Sequence, residues 1–168
     1  MTNEEVVAYP LCWPVGWPRL DECQREEGKE RFIHDGARLS ISDGIERVLV
    51  QLVRLDVGLQ GLVISCNVKE VETWMAEICA GRRRAGRHRL GAADVVDPGV
   101  ALYWRESKTN FCLAIDRHTS VADNLGAIAA TLEAMRDLAR IGSCTILDRA
   151  FTGLALRAPE PESLGRSA

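Results

Sequence analysis

Three residues near the middle of the chain carry the side chains of a nucleophilic site. Cys112, Asp116 and His118 supply a thiol, a carboxylate and an imidazole within a short stretch. In such a site a base removes the thiol proton and an acid orients the base. On a strand, however, Cys112 and Asp116 would share a face while remaining well apart, and no oxyanion-stabilising motif lies nearby. The sequence therefore predicts that the chain is not an enzyme.

The cysteines and histidines do not have the spacing of a metal site. The six cysteines are scattered singly, and none of the three histidines stands at a zinc-ligand spacing. Glycine-rich phosphate loops and paired-carboxylate motifs are also absent from the sequence. We expect no metal and no cofactor. We expect Cys66, Cys112 and Cys144 to be buried thiols in a reducing compartment.

The strongest local charge is an arginine-rich loop at residues 82–89. It holds five arginines and two small residues and has no apolar face, which is typical of an exposed loop. Arginine binds phosphate groups through paired hydrogen bonds, so the loop is a candidate site for nucleic acid or an acidic partner. The alternative is a solubilising loop that pairs with the acidic N-terminal third. The candidate residues are Arg82, Arg83, Arg84, Arg87 and Arg89.

The N-terminal part of the chain is acidic instead. The charged surface segment at residues 20–40 shows no clear periodicity and contains Glu22, Glu26, Glu27 and Glu30. Such a run is usually a solvated surface. It could instead imitate the phosphates of a nucleic acid for a partner that binds nucleic acid. The net charge of the whole chain is −3, which is unlike that of a general nucleic-acid-binding protein.

Residues 1–19 are predicted to form an extended arm rich in tryptophan and proline. Each proline forces the preceding residue into extended geometry, so a helix is disfavoured. We favour an arm that lies back on the body as an apolar clasp through Tyr9, Trp13 and Trp17, because exposed tryptophans are costly. The alternative is an arm in which Trp13 and Trp17 bind a partner.

A first helical pattern begins at Ser42. Asp43 and Glu46 resemble a capping box, and Gly58 is predicted to end the helix. Apolar residues recur at helical spacing between these points, which indicates one buried stripe.

A strand and a second helix follow. The compact, β-branched run at residues 61–68 predicts a strand in the centre of a sheet. Apolar residues at helical spacing predict a helix over residues 71–79, in which we expect Trp74 to belong to the core.

A hairpin and the longest helix organise the rest of the chain. Residues 99–105 and 111–116 are rich in β-formers on either side of a polar turn. Ser120 is a predicted N-cap for a helix that runs to Gly142. The apolar stripe of this helix faces the core, and we expect Asp123 and Asn124 to lie mostly on the opposite side. The stripe comprises Val121, Leu125, Ile128, Leu132, Met135 and Ala139.

The order of these elements predicts an α+β two-layer sandwich. A three-stranded, mainly antiparallel sheet carries helices on one face, in a single domain over residues 41–156. A last short helix at residues 143–155 precedes a disordered tail at 157–168. The sequence has no apolar run of membrane-spanning length and no secretory signal at its acidic N-terminus, so we expect a cytoplasmic protein of a bacterial host cell.

Several segments resemble one family. The arm at residues 9–19, the hairpin start at 97–103, the helix start at 121–129 and residues 150–153 resemble the N-terminal region of J-domain-containing proteins carried by prophages and other mobile elements in bacteria. Proteins of this family continue into a J domain that recruits the heat-shock chaperone ATPase. This sequence has no His-Pro-Asp tripeptide, so the resemblance does not carry co-chaperone activity with it.

Two functional hypotheses follow from the sequence. The first is a non-enzymatic inhibitor or adaptor of a mobile element, similar to an anti-CRISPR protein, that docks on a host or defence nucleoprotein machine. The second is an accessory nucleic-acid-binding factor for phage DNA replication or recombination that uses the arginine-rich loop. The first predicts copurification with a protein complex, and the second predicts nucleic-acid binding that falls steeply with salt.

Overall fold

A computed structural model describes residues 6–28, 33–34, 37–81, 90–91, 95–106 and 109–141. Within these ranges the chain forms a short 3-10 turn, five strands and three α-helices. In chain order they are the turn Glu22–Gln24, β1 Ile33–His34, β2 Ala37–Arg38, α1 Ile41–Arg54, β3 Val63–Cys66, α2 Lys69–Cys79, β4 Val100–Glu106, β5 Thr109–Ile115 and α3 Val121–Ile141. The α+β class predicted from the sequence is confirmed.

The main sheet has three antiparallel strands in the order β3-β4-β5. Val63 of β3 pairs with Tyr103 of β4, and Tyr103 pairs in turn with Cys112 of β5. The prediction that the strand within residues 61–68 lies in the centre is wrong, because β4 is the middle strand. An edge strand can also be buried and β-branched if a segment without strand structure covers its outer edge, and this is the case for β3. Here the backbone N–H of Cys66 donates to the carbonyl oxygen of Ala8, 3.0 Å away.

One face of the sheet, the helical face, carries the main core. Alternate residues of the strands, such as Ile64, Leu102 and Leu113, point into a cluster formed with all three helices. α1 and α3 make the most extensive contact between helices. A Cβ atom at Gly44 would lie 2.7 Å from the Cβ of Leu125, so the absence of a side chain at Gly44 allows α1 to approach α3 closely there.

The ends of α1 differ from the sequence prediction. The N-cap is Ser40, whose Oγ accepts from the N–H of Asp43, and the Asp43 carboxylate accepts from the N–H of Ser40 in return. The predicted pair of Asp43 and Glu46 is therefore wrong by one turn; aspartate replaces the usual glutamate at the third helical position. The helix ends at Arg54, and Asp56 rather than Gly58 adopts the left-handed conformation beyond it, with φ of 60°.

The capping residue of α3 is confirmed, since Ser120 Oγ accepts from the N–H of Asp123. Its apolar stripe is buried from Val121 to Met135, as predicted, and Ala139 is half-buried. The prediction that Asp123 and Asn124 lie on the outer side is wrong, because both are buried. Asn124 contacts the carbonyl oxygens of Pro98 and His118, and Asp123 lies against Gly28, so burial in the first turn of α3 does not follow the apolar stripe.

The second helix is confirmed, and Trp74 lies in the core. Among the described residues no helix is both long and apolar enough to cross a membrane. The arginine-rich loop at 82–89, the predicted helix at 143–155 with Cys144, and the tail at 157–168 lie outside the described residues.

Candidate functional site

The N-terminal residues 6–28 cross the sheet on the face opposite the helices, and we call them the strap. The strap begins at the outer edge of β3, beside the bond between Ala8 and Cys66. There the backbone N–H of Leu11 donates to Asn67 Oδ1 at 3.0 Å. The N–H of Cys12 donates to Ser65 Oγ at 2.7 Å. Side chains of the sheet thus fix the start of the strap.

The middle of the strap covers the second face of the sheet, the strap face. Leu11, Trp13 and Trp17 pack there against a small cluster, and the hydroxyl of Tyr103 donates to the carbonyl oxygen of Cys12 at 2.7 Å. The cluster comprises Ala101, Tyr103, Cys112 and Ala114. These contacts are those of the predicted clasp, although Tyr9 stays exposed. Both tryptophans are half-buried in these contacts, and their role in binding a partner stays a prediction.

Two arginines and two aspartates meet at the end of the sheet, and we call this group the ion-pair node. Arg19 Nε lies 2.8 Å from Asp116 Oδ2, and Arg19 Nη2 lies 2.5 Å from Asp97 Oδ1. Arg25 Nη2 lies 3.5 Å from Asp97 Oδ1 and 3.7 Å from Asp116 Oδ2. The guanidinium of Arg19 also stacks 4.2 Å above the ring of Trp13. The node therefore joins the strap to the turn before β4 and to the residue after β5.

The node is partly buried, and this shapes its electrostatics. Burial opposes ionisation of Asp97, but hydrogen bonds from Arg19 and the Gly99 N–H, with the charges of both arginines, outweigh it and lower the Asp97 pKa. For Arg19, burial likewise opposes the charged form, and the two aspartates outweigh it, so its pKa is raised. The side chain of Asp116 is only 5% exposed and also accepts from the N–H of Leu20. Asp97 and Arg19 are thus held in their charged forms at neutral pH.

The strap ends beside the residues that follow β5. Glu26 forms a parallel bridge with His118: its N–H donates to the Arg117 carbonyl, and its own carbonyl accepts from the Thr119 N–H. His118 is buried, and its Nδ1 lies 3.3 Å from the Glu26 carbonyl oxygen. These bonds align the strap with the chain segment that leads into α3.

Asn124 secures the same region from inside. Its Nδ2 donates to the carbonyl oxygens of Pro98 and His118, and its Oδ1 accepts from the N–H of His118. These three bonds fix the backbone at Pro98 and His118 in one conformation. Replacing Asn124 would leave these buried backbone groups without hydrogen-bond partners. This explains why Asn124 is buried in spite of its polarity.

The acidic segment, residues 21–27, follows Arg19 of the node and includes both Arg25 of the node and the bridge residue Glu26. Asp21, Glu22, Glu26 and Glu27 are all exposed, and the side chain of Glu27 is 77% accessible. Glu27 lies 3.0 Å from Arg38 and Glu26 lies 3.7 Å from Arg117, in exposed pairs that add little stability. Glu30, which was predicted with this group, lies outside the described residues.

The structure separates the three residues that resembled a nucleophilic site. Cys112 lies under the strap next to Tyr103, Asp116 belongs to the ion-pair node, and His118 contacts the strap at Glu26. Burial raises the pKa of the Cys112 thiol to about 12 and that of Cys66 to about 11. Both thiols are therefore protonated near neutral pH, and the nucleophilic thiolate is scarce.

Potential metal ligands do not gather in the part of the chain that the structure describes, since no group of three or more His, Cys, Asp or Glu side chains could hold an ion there. The five arginines predicted to bind nucleic acid or an acidic partner, Arg82, Arg83, Arg84, Arg87 and Arg89, lie outside this part.

Comparison with protein-family models, with curated proteins and with solved structures found no match to this chain. The resemblance to prophage J-domain proteins therefore stays a prediction, and the site has to be interpreted from its own geometry.

Sequence reasoning missed the residues of the ion-pair node. Arg19 and Asp116 are 97 positions apart, and neither belongs to a periodic pattern that would place it. The available signal was local: an arginine directly after a tryptophan-proline arm, and an aspartate in the turn Asp97-Pro98-Gly99. Only the path of the strap across the sheet brings these charges together.

Proposed function

We propose that this chain is a non-enzymatic binding protein that docks through its acidic segment on the basic, nucleic-acid-binding surface of a host or defence nucleoprotein machine. It would act there as an inhibitor or an adaptor, in the manner of an anti-CRISPR protein. The resemblance to proteins of bacterial mobile elements motivates this class of partner. The observation that carries the proposal is that the acidic segment is both exposed and held in place at its two ends.

The fixed ends favour binding. The ion-pair node holds the segment at Arg19 and Arg25, and the bridge to His118 holds it at Glu26. A segment that is already ordered loses less conformational entropy when a partner binds, so more of the contact energy appears as affinity.

The charge distribution favours a basic partner. Asp97 and Asp116 neutralise both arginines of this part of the strap, which leaves four exposed carboxylates on residues 21–27. Glu26 and Glu27 form exposed pairs with Arg117 and Arg38, which a basic partner can replace at little cost. A carboxylate row of this kind attracts a surface that ordinarily binds phosphates, and it accelerates association at low salt.

The test is affinity capture with the tagged full chain from a bacterial lysate, followed by mass spectrometry. The variant Glu22→Lys/Glu27→Lys reverses two exposed charges of the acidic segment. The matched control Glu72→Lys/Glu106→Lys makes the same change in net charge at exposed positions on α2 and β4. Circular dichroism checks that both variants fold.

We expect the captured complex to contain a nucleic-acid-binding subunit, to be displaced by excess duplex DNA, and to be lost with the acidic-segment variant alone. Equal capture by both variants would contradict the proposal. Retardation of DNA or RNA by the isolated chain at physiological salt would also contradict it and would favour the accessory nucleic-acid-binding factor.

A further inference from the structure

Two cysteines meet at the Tyr103 side chain, where the strap crosses the strap face of the sheet. Cys12 belongs to the strap and is half-buried, whereas Cys112 belongs to β5 and is fully buried. Both are free thiols in this structure. Neither belongs to the ion-pair node or to the acidic segment, so the function proposed above gives them no role.

The backbone of Cys12 is fixed above the sheet by two hydrogen bonds. Its N–H donates to Ser65 Oγ at 2.7 Å, and its carbonyl oxygen accepts from the Tyr103 hydroxyl at 2.7 Å. The residues on either side of it, Leu11 and Trp13, pack on the cluster that contains Cys112. Cys12 is therefore held over the same face of the sheet as Cys112.

Tyr103 connects the two cysteines. Tyr103 and Cys112 lie directly opposite each other on β4 and β5, and antiparallel pairs of this kind have Cβ atoms about 4.5–5.5 Å apart on one face. Burial raises the pKa of Tyr103, and the thiols of Cys112 and Cys12 raise it further through their charges and hydrogen bonds. One hydroxyl group thus neighbours both sulfur atoms.

The remaining cysteines of the described ranges have different surroundings. Cys66 is buried among the side chains of the helical face, on the other side of the sheet. Cys23 and Cys79 are exposed. Cys12 and Cys112 are therefore the two thiols that the described structure brings to one place.

We propose that Cys12 and Cys112 form a reversible disulfide when the protein meets a hydroperoxide, and that this bond fastens the strap to β5. The half-buried Cys12 reacts first: its sulfur takes one oxygen atom from the peroxide and becomes a sulfenic acid, and the peroxide leaves as water or an alcohol. The Cys112 sulfur then displaces the hydroxyl group. The S–O bond breaks, the S–S bond forms, and the hydroxyl group leaves as water with the proton of the Cys112 thiol.

The surroundings suit these separate roles. Burial keeps the Cys112 thiol protonated, so peroxide in solution oxidises it slowly. The displacement at Cys12 takes place within one chain, where the closeness of the two groups accelerates it. Disulfides of cytosolic proteins are usually transient and respond to the redox state. The proposal does not depend on docking of the acidic segment, because it rests on different residues.

The test is peroxide treatment of the reduced full chain, once folded and once in concentrated urea. The remaining thiols are blocked with N-ethylmaleimide, and disulfide-linked peptides are identified by mass spectrometry without reduction. In the folded chain we expect the Cys12–Cys112 link to be at least about tenfold more abundant than the Cys12–Cys23 link. In urea we expect the opposite order, because a short loop closes more easily than a long one.

Variants test the order of the two steps. Cys112→Ala should accumulate a sulfenic acid at Cys12, which dimedone traps, at least about tenfold above the unaltered chain, where Cys112 consumes it. Cys23→Ser/Cys79→Ser is the control and should form the Cys12–Cys112 link as the unaltered chain does. Circular dichroism checks that the variants fold.

The oxidised chain should also show that the strap is fastened. We expect slower hydrogen exchange at residues 11–13 and a melting temperature raised by about 5 °C or more, and dithiothreitol should reverse both changes.

Four results would overturn the proposal. They are a folded chain in which Cys12 and Cys112 stay unlinked after Cys23 and Cys79 have been oxidised, a Cys12–Cys112 link no more abundant in the folded chain than in urea, no dimedone adduct at Cys12 in Cys112→Ala, and a link that leaves hydrogen exchange in the strap unchanged.

Discussion

The two faces of the sheet are closed by different physical means. On the helical face, Val100 and Leu102 of β4 are packed among aliphatic side chains of three helices. On the strap face, Ala101 and Tyr103 of the same strand are covered by residues 6–17 of the strap, which contain no helix or strand. The covering segment is held by hydrogen bonds to Ser65 and Asn67 and by the ion-pair node.

This difference separates stability from positioning. Apolar packing is not directional and scales with the area buried, so the helical face carries most of the folding energy. Ion pairs and side-chain bonds are directional, and they hold the strap in one position at a few points. We therefore expect the strap to open locally without unfolding of the helices. Substitutions on the two faces can show this directly.

The largest effect is expected on the helical face. Leu132 of α3 is fully buried, so Leu132→Ala should lower the free energy of unfolding by about 2–5 kcal/mol. Urea denaturation followed by circular dichroism measures the loss. Val53→Ala, at an exposed position of α1, is the control and should change the value by less than about 0.5 kcal/mol. Similar losses of unfolding free energy for both variants would contradict the assignment of Leu132 to the core and of Val53 to the surface.

The ion-pair node should give the next largest effect. Arg19→Ala leaves the buried Asp116 carboxylate with a weaker partner, and breaking such pairs costs about 3–5 kcal/mol when both charges are buried. Since Arg19 is one-third exposed, we expect about 2 kcal/mol. Hydrogen exchange should accelerate at Leu20 and elsewhere in the strap but not in the middle of α3.

The matched control for the node is Arg38→Ala. Arg38 forms an exposed pair with Glu27, and such pairs contribute at most about 1 kcal/mol. If Arg19→Ala accelerated exchange in α3 as much as in the strap, the strap and the helices would unfold as one cooperative unit. That result would contradict local opening of the strap.

A smaller effect is expected at two glycines, one for each region. A methyl group at Gly44 would meet the Leu125 Cβ, and one at Gly28 would overlap the Asp123 carboxylate. Overpacking typically costs 1–3 kcal/mol, and at Gly44 a gain of about 1 kcal/mol in helix propensity offsets part of it. Gly58→Ala is the control, because its added carbon meets nothing within 4 Å.

Hydrogen exchange should distinguish the two glycine variants as well. Gly44→Ala is expected to accelerate exchange in α1 and α3, and Gly28→Ala mainly in the strap. Unchanged stability in both variants would mean that these close approaches relax freely.

Acid should weaken the node. The Asp97 pKa is lower in the folded chain than its usual value near 3.9, so Asp97 stabilises the fold above that value. This contribution is lost as the pH falls through the lower, folded pKa. Urea unfolding at pH 6 and pH 3 should therefore differ less in Asp97→Asn than in the unaltered chain. An equal difference in the two proteins would contradict the assignment.

The helical face could be predicted from the sequence because its signals are local. The helical period placed all three helices, Ser120 marked the start of α3, and the β-rich runs placed β4 and β5, whereas the cap of α1 was predicted one turn too late. The errors arose where contacts between distant segments determine burial. Asp123 and Asn124 are buried by the turn at residues 97–99 and by the strap, and the helical period carries no information about these contacts.

The strap could be predicted only in part. Its tryptophans and prolines predicted an extended segment that packs on the body of the protein. They did not predict which residues of the body it contacts. Its path depends on pairings between distant residues, such as Cys12 with Ser65 and Arg19 with Asp116. No spacing rule connects such pairs, so neither the ion-pair node nor the fixed position of the acidic segment followed from the sequence.

The final prediction needs no substitution, because each face holds a buried thiol. Cys112 lies under the strap and Cys66 lies in the helical face, and burial raises the pKa of both. If the strap opens locally, an alkylating reagent at pH 8 should modify Cys112 well before Cys66, whose exposure requires global unfolding. Peptide mass spectrometry measures both rates, with the exposed Cys23 and Cys79 as fast references. Modification of Cys66 first, or of both thiols together, would mean that the strap unfolds only with the helices.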